Sequence, residues 1–181
     1  MSTYRRARIL GGSYFFTVTL EDRSSSLLVD QIDALRLAFS STQNELPFRI
    51  DAIVVLPDHL HCIWTLPDGD SDFSSRWQRI KGRFSRACPS GEEITASRAR
   101  KRERGIWHRR YWEHVLRDER DFATHVDYIH FNPVKHAHVG RAIDWPHSSF
   151  HRYVRQGTLP GDWGGEVEPQ IANAAGGFGE R

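Results

Sequence analysis

The sequence predicts an α+β fold, an antiparallel sheet of the ferredoxin-like split βαβ type with a further helix at its C-terminal end. Three observations predict it. Segments of strand-like and helix-like hydrophobic periodicity follow one another in the order β-α-β-β-α-β-α. Two of the strand segments are separated only by Pro57-Asp58, which suits a tight turn between antiparallel neighbours. The chain has 181 residues, of which 39% are hydrophobic and 12% aromatic, enough to bury one core.

Residues 13–20 (SYFFTVTL) are β-branched and aromatic, follow Gly11-Gly12, and read as a strand. Leu27, Leu28, Ile32, Leu35 and Phe39 recur at helical spacing over 27–41. Residues 48–56 (FRIDAIVVL) and 59–66 (HLHCIWTL) read as paired strands. After the turn-rich segment 67–72, a helix is expected over about 73–87, with Phe73, Trp77, Ile80 and Phe84 on its apolar stripe. Residues 89–105 form a polar, basic connection that reads as flexible, and 106–117 return to strand-like composition. Asp118 or Asp121 then caps a helix over about 121–131, closed by Asn132-Pro133. A short helix is expected within 144–156. Residues 1–164 therefore read as one domain, and 165–181 as a Gly-rich flexible tail.

Composition excludes several classes. Mean hydropathy is −0.57, and no apolar run approaches the ~20 residues that span a bilayer. The N-terminal segment lacks the apolar core of a secretory signal. Two cysteines make no disulfide framework, so a cytoplasmic setting is expected, with no membrane partner. The formal net charge is only +2, but residues 76–110 hold twelve basic side chains against three acidic ones. A basic block within an otherwise acidic chain suggests a polyanion partner. Arg76, Arg79, Arg83 and Arg86 fall on one helical stripe beside the apolar one and suit phosphate tracking, with Arg109 and Arg110 following in sequence. Solvated surface charge is the plainer reading for any one of them.

Two groups of residues can carry chemistry. His59 and His61 lie at i and i+2, so on a strand both imidazoles share a face and can hold one metal ion. Leu60, Cys62, Trp64 and Leu66 then point the other way. The plainer alternative is two surface histidines on a polar face. In the second group, His125, Tyr128 and Asn132 align on one helical stripe, while Phe122, Val126 and Ile129 form the buried one. Tyr128 is a candidate nucleophile and Asn132 a candidate oxygen ligand. Equally, Tyr128 suits a half-buried ring with a hydrogen-bonded tip, and Asn132 the residue before a helix-ending proline. Together the four residues fit one reaction. A phenol of pKa ~10 is a poor nucleophile at neutral pH, but it can attack a phosphodiester whose oxygen a cation polarises. Two neutral imidazoles and an amide leave the cation's charge intact. Mn²⁺ suits them by affinity and Mg²⁺ by availability.

At this point the chain resembles the REP-associated tyrosine transposases, within the single-tyrosine HUH transposases of the insertion-sequence type. The matching stretches are YRRARILGGSYFFTVTL at 4–20, VVLPDHLHCIWTLPDGDSDFSSRWQRIK at 54–81, IWHRRYWEHVLRDERDF at 106–122, HVDYIHFNPVKHAHV at 125–139 and DWPHSSFHRYV at 144–154. The resemblance implies an HUH-endonuclease fold in which the added C-terminal helix is catalytic. It implies that His59 and His61 ligate Mg²⁺ or Mn²⁺ with Asn132 as third ligand. It also implies that Tyr128 becomes joined to a 5′ phosphate, leaving a free 3′-OH. The implied substrate is single-stranded DNA with a REP-type foldback hairpin. Lys135 and His136 can contact the scissile phosphate or cap the helix through its dipole. Tyr4, Arg5 and Arg6 are expected beside the hairpin. A monomer is expected, a dimer being the habit of insertion-sequence relatives. Two positions depart from the family pattern: His108 stands where Gln is more usual, and the 89–105 connection is more basic. A true insertion-sequence transposase or a catalytically silent DNA-binding regulator are the alternatives.

Overall fold

The computed structural model describes residues 8–89, 96–100 and 104–164. Four strands make one antiparallel sheet: β1 (Ser13–Thr19), β2 (Arg49–Val55), β3 (His59–Thr65) and β4 (Trp112–Val115), in the order β2-β3-β1-β4. Six α-helices accompany them among the described residues: α1 (Leu27–Asp30), α2 (Ile32–Glu45), α3 (Phe73–Ala87), α4 (Ala96–Arg100), α5 (Glu119–Lys135) and α6 (Phe150–Arg155).

Both sheet faces are covered, so β1 and β3 are buried along nearly their whole length. Tyr14, Phe16 and Val18 of β1 join Leu60, Cys62 and Trp64 of β3 in a core beneath α2 and α3. There Trp64 stacks on Trp77 with ring centres 4.3 Å apart. Phe15 and Ile63 face the other way, into a smaller core with Val126, Tyr128 and Ile129 of α5. Asp72 caps α3 by accepting from Ser75 N at 3.0 Å, and Asp118 caps α5 by accepting from Asp121 N at 2.8 Å.

The edge of β2 is not left open. Ser149 N donates to Ile53 O (2.8 Å), Val55 N to His147 O (2.9 Å), and Ile53 N to Ser149 Oγ (2.9 Å). Arg152 and Tyr153 reach the Asp51 carbonyl, where β2 shifts register between Ile50 and Ala52. The segment 147–153 thus closes an edge that would otherwise offer unpaired backbone groups.

Several expected boundaries move. The helix expected over 27–41 is broken at Gln31 and runs on to Glu45. The segment 106–117 is a strand only at Trp112–Val115; Trp107 makes an isolated bridge to Leu20, and the exposed Arg109 and Arg110 interrupt the pairing. Within the 89–105 connection, Ala96–Arg100 are helical. The short helix expected within 144–156 is α6, preceded by a 3₁₀ turn at Ala142–Asp144 on the other side of Pro146. Helix α5 passes through Asn132-Pro133 to Lys135. Pro133 forfeits one backbone bond near the helix end, where the buried Asn132 and Pro133 are held by packing. The expected tail, 165–181, lies outside the described residues. Both cysteines are free and buried. No helix among the described residues is long and apolar enough to cross a membrane.

Candidate active site

The period of β3 puts His59 and His61 on the face toward α5, with Leu60, Cys62 and Trp64 in the opposite core. Their ring centres are 5.0 Å apart and nearly perpendicular. Each is oriented from behind. Nδ1 of His59 lies 2.7 Å from Asp58 Oδ1, and Nδ1 of His61 lies 2.9 Å from Thr17 Oγ1, its direct partner across the β1–β3 register. Nε2 of His59 is buried with no hydrogen bond among the described residues. A buried imidazole fixed at one nitrogen and unsatisfied at the other has the arrangement of a metal ligand held by its outer partner. Burial opposes ionisation of Asp58, but the bond and charge from His59 and the charge of Arg23, 2.8 Å away, prevail and hold its carboxyl below the usual range.

Helix α5 lays Tyr128 against this pair. Its ring is 5.2 Å from that of His61 and 6.0 Å from Phe15. Lys135 Nζ donates to Tyr128 Oη at 3.3 Å. Asn132 is fully buried one turn on. The stripe His125–Tyr128–Asn132 therefore corrects the expected division of the helix: it is buried too, facing the sheet, and Tyr128 is only 1% exposed. Beyond α5 the chain turns back, so that the His136 ring lies 5.2 Å from His59.

The expected phosphate stripe on α3 is corrected more severely. Arg76 is 1% exposed. Its guanidinium donates to Leu46 O, Pro47 O and Asp72 O and pairs with Asp70 at 2.6 Å, so it joins the connection after α2 to the start of α3. Arg79 and Arg83 both pair with Glu45, and Arg83 also donates to Thr42 Oγ1, tying α3 to α2. Arg86 remains exposed. It lines a groove of about 610 Å³ with Lys81, Arg98, Trp107, Arg109 and Tyr111. Arg110 is exposed beside it in sequence. His108 N, at the rim of this groove, donates to the carbonyl of Thr19, whose register partner across β1–β3 is His59. Tyr4, Arg5 and Arg6 lie outside the described residues.

Sequence reasoning missed Asp58 and Thr17. Asp58 adjoins a candidate ligand, a signal that was available; Thr17 becomes visible only through the strand register.

No family model matches the chain. A REP-associated tyrosine transposase of Escherichia coli is 50% identical over 167 residues, 92% of this chain and 93% of that protein. A relative from Haemophilus influenzae of the same description is 45% identical over 172 residues, 94% of this chain and 98% of its own. The solved structure of a REP-associated tyrosine transposase bound to a REP hairpin is similar with a TM-score of 0.85 and 48% identity, covering 100% of this chain and 98% of that one.

Proposed function

The chain belongs to the REP-associated tyrosine transposase family, and from that premise we propose that it is a divalent-metal-dependent single-strand DNA endonuclease and strand transferase acting at REP-type hairpins. The strand order β2-β3-β1-β4 supports the split βαβ, HUH type of architecture, with α5 as its catalytic helix.

His59 and His61, fixed by Asp58 and Thr17, suit a cation, and the buried Nε2 of His59, without a hydrogen bond among the described residues, supports that reading. Asn132 is the third ligand in this reading, with Mg²⁺ or Mn²⁺ as the ion. When bound, the ion would polarise a phosphoryl oxygen and offset its developing charge. Tyr128 Oη forms a bond to phosphorus as the bond from phosphorus to the 3′ oxygen breaks. The phenol proton is lost to solvent, and the 3′ oxygen leaves as a hydroxyl after taking one up. Lys135, donating to Oη, stabilises negative charge there. The product is a 5′-phosphotyrosine, which attack by a 3′-OH reverses.

At 1% exposure Tyr128 is closed to a DNA strand, so cleavage in this reading includes a shift of α5 from the sheet. Arg86, Arg109 and Arg110 are the backbone contacts, and Arg76, Arg79 and Arg83 are structural. A monomer is the working unit: β2 is closed by the chain's own 147–153 segment, and β4 offers only four residues to a second copy.

The observation that carries the reading is the packing of Tyr128 on His61, which brings nucleophile and ligand together from distant segments. The test is adduct formation on a labelled single-stranded hairpin with Mg²⁺, Mn²⁺ or EDTA. The expected result is a metal-dependent covalent band that retains label from the 3′ side of the cut and is lost in Tyr128→Phe, while hairpin binding persists. Cleavage that survives EDTA or Tyr128→Phe would overturn it.

A further inference from the structure

A second set of metal-type donors lies between β4 and α5, away from the His59–His61 pair. His114 of β4 and Asp121 and His125 of α5 each offer a ligand atom, all within 4.8 Å of one another. Nε2 of His114 is 3.0 Å from Asp121 Oδ2, and Nδ1 of His125 is 3.2 Å from Asp121 Oδ1. The two imidazoles stack with centres 4.9 Å apart. The Phe15 ring, 4.8 Å from His125 and 5.5 Å from His61, stands between the two sets. The donors border a cavity of about 410 Å³ that leaves room for a further ligand.

We propose that His114, Asp121 and His125 form a second divalent-cation site, with two imidazoles and one carboxylate that suit a borderline ion such as Zn²⁺. That donor set, with one position open, is a recurrent Zn²⁺ arrangement. Bonds of about 2.0–2.2 Å in tetrahedral geometry set ligand atoms about 3.4 Å apart, so the 3.0 and 3.2 Å contacts to Asp121 open slightly as the ion enters. Burial opposes ionisation of Asp121, but the bonds from His114 and Arg117 prevail, so the carboxylate is charged. Two contacts give way on binding. Arg117 Nε, 3.1 Å from Asp121 Oδ2, belongs to a side chain that is 74% exposed and can swing into solvent. His125 Nδ1 lies 2.7 Å from Asp121 O and yields its proton if it ligates. A bound ion would pin β4 to α5 one turn before Tyr128.

The test uses the full chain with ZnCl₂ as the probe, in calorimetry, and with Co²⁺ for its visible absorption. His59→Ala combined with His61→Ala removes the other pair, so failure here and failure of the proposed cleavage chemistry are separable. That variant is expected to keep one Zn²⁺ per chain. Adding His114→Gln should weaken binding at least about tenfold, whereas Arg117→Gln should tighten it. In the wild-type background, His114→Gln alone should likewise weaken one Zn²⁺ equivalent at least about tenfold, which keeps the test decisive even if the double variant does not fold. A folded double variant that binds no Zn²⁺, or Zn²⁺ binding indifferent to His114→Gln, overturns the proposal.

Discussion

His130 is fully buried, with Nε2 2.9 Å from Ser149 Oγ and the Tyr153 ring 4.6 Å away. Desolvation, helped by the charge of Arg152, pushes its pKa down to about 3. In the unfolded chain the same ring titrates near 6.5. Between these values the unfolded state binds the extra proton, so stability falls as pH drops from about 6.5 toward about 3. The whole interval is worth on the order of 5 kcal/mol. Urea denaturation at pH 7 and pH 4.5 should show this loss in the wild type and a smaller one in His130→Gln. Equal losses would place the acid sensitivity elsewhere. At this scale the sequence is uneven as a guide. The common face of His59 and His61 follows from a period of two, and the diversion of Cys62 follows with it. The fate of Arg76 does not follow. It shares its spacing with Arg79 and Arg83, and the path of residues 46–47 and 70–72 around its guanidinium makes it a buried structural clamp.

Helix α5 ends in a way its sequence disguises. Asn132-Pro133 reads as a stop, yet the helix closes four residues later with Ala137 N donating to Val134 O and His138 N to Pro133 O. This is the Schellman arrangement, and it requires a left-handed residue. Ala137 supplies it at φ 55°, the one non-glycine with positive φ among the described residues. A side chain in that region costs about 1 kcal/mol. Ala137→Gly should therefore raise stability by about that amount, read as a higher urea midpoint; an unchanged midpoint would show the strain relieved locally. Helix α2 was legible from its apolar spacing, and α3 and α5 because their apolar spacing and acidic caps agree. The break at Gln31 was not, since no glycine or proline marks it.

For the molecule as a whole, clustered charge in the sequence is not clustered charge on the surface. Arg79 and Arg83 are bound to Glu45, and Arg104 donates to Ser85 O, Cys88 O and Pro89 O at the end of α3. Much of the basic block therefore joins helices to one another. Hairpin affinity measured from 50 to 200 mM salt should depend on Arg86 and Arg109: replacing both by Gln should flatten the slope by about two units. Arg79→Gln with Arg83→Gln should leave the slope unchanged, and a flattened slope would return the binding face to that side of α3. The fold order was legible because local periods survive in a small sheet. The groove was not, because it is assembled from α3 and the 104–111 segment, which meet only in three dimensions.

The closed edge of β2 has a consequence for how the chain acquires its structure. Ile53 and Ser149 are 96 residues apart, and Asp51 and Arg152 are 101 apart. During synthesis β2 and β3 emerge long before the segment that seals them. Until residues 147–153 arrive, the nascent hairpin carries a bare template for pairing with other chains. Contacts of such sequence separation also form late and slowly. The interval between making β2 and docking 147–153 is thus the period in which this protein is most exposed to misassembly.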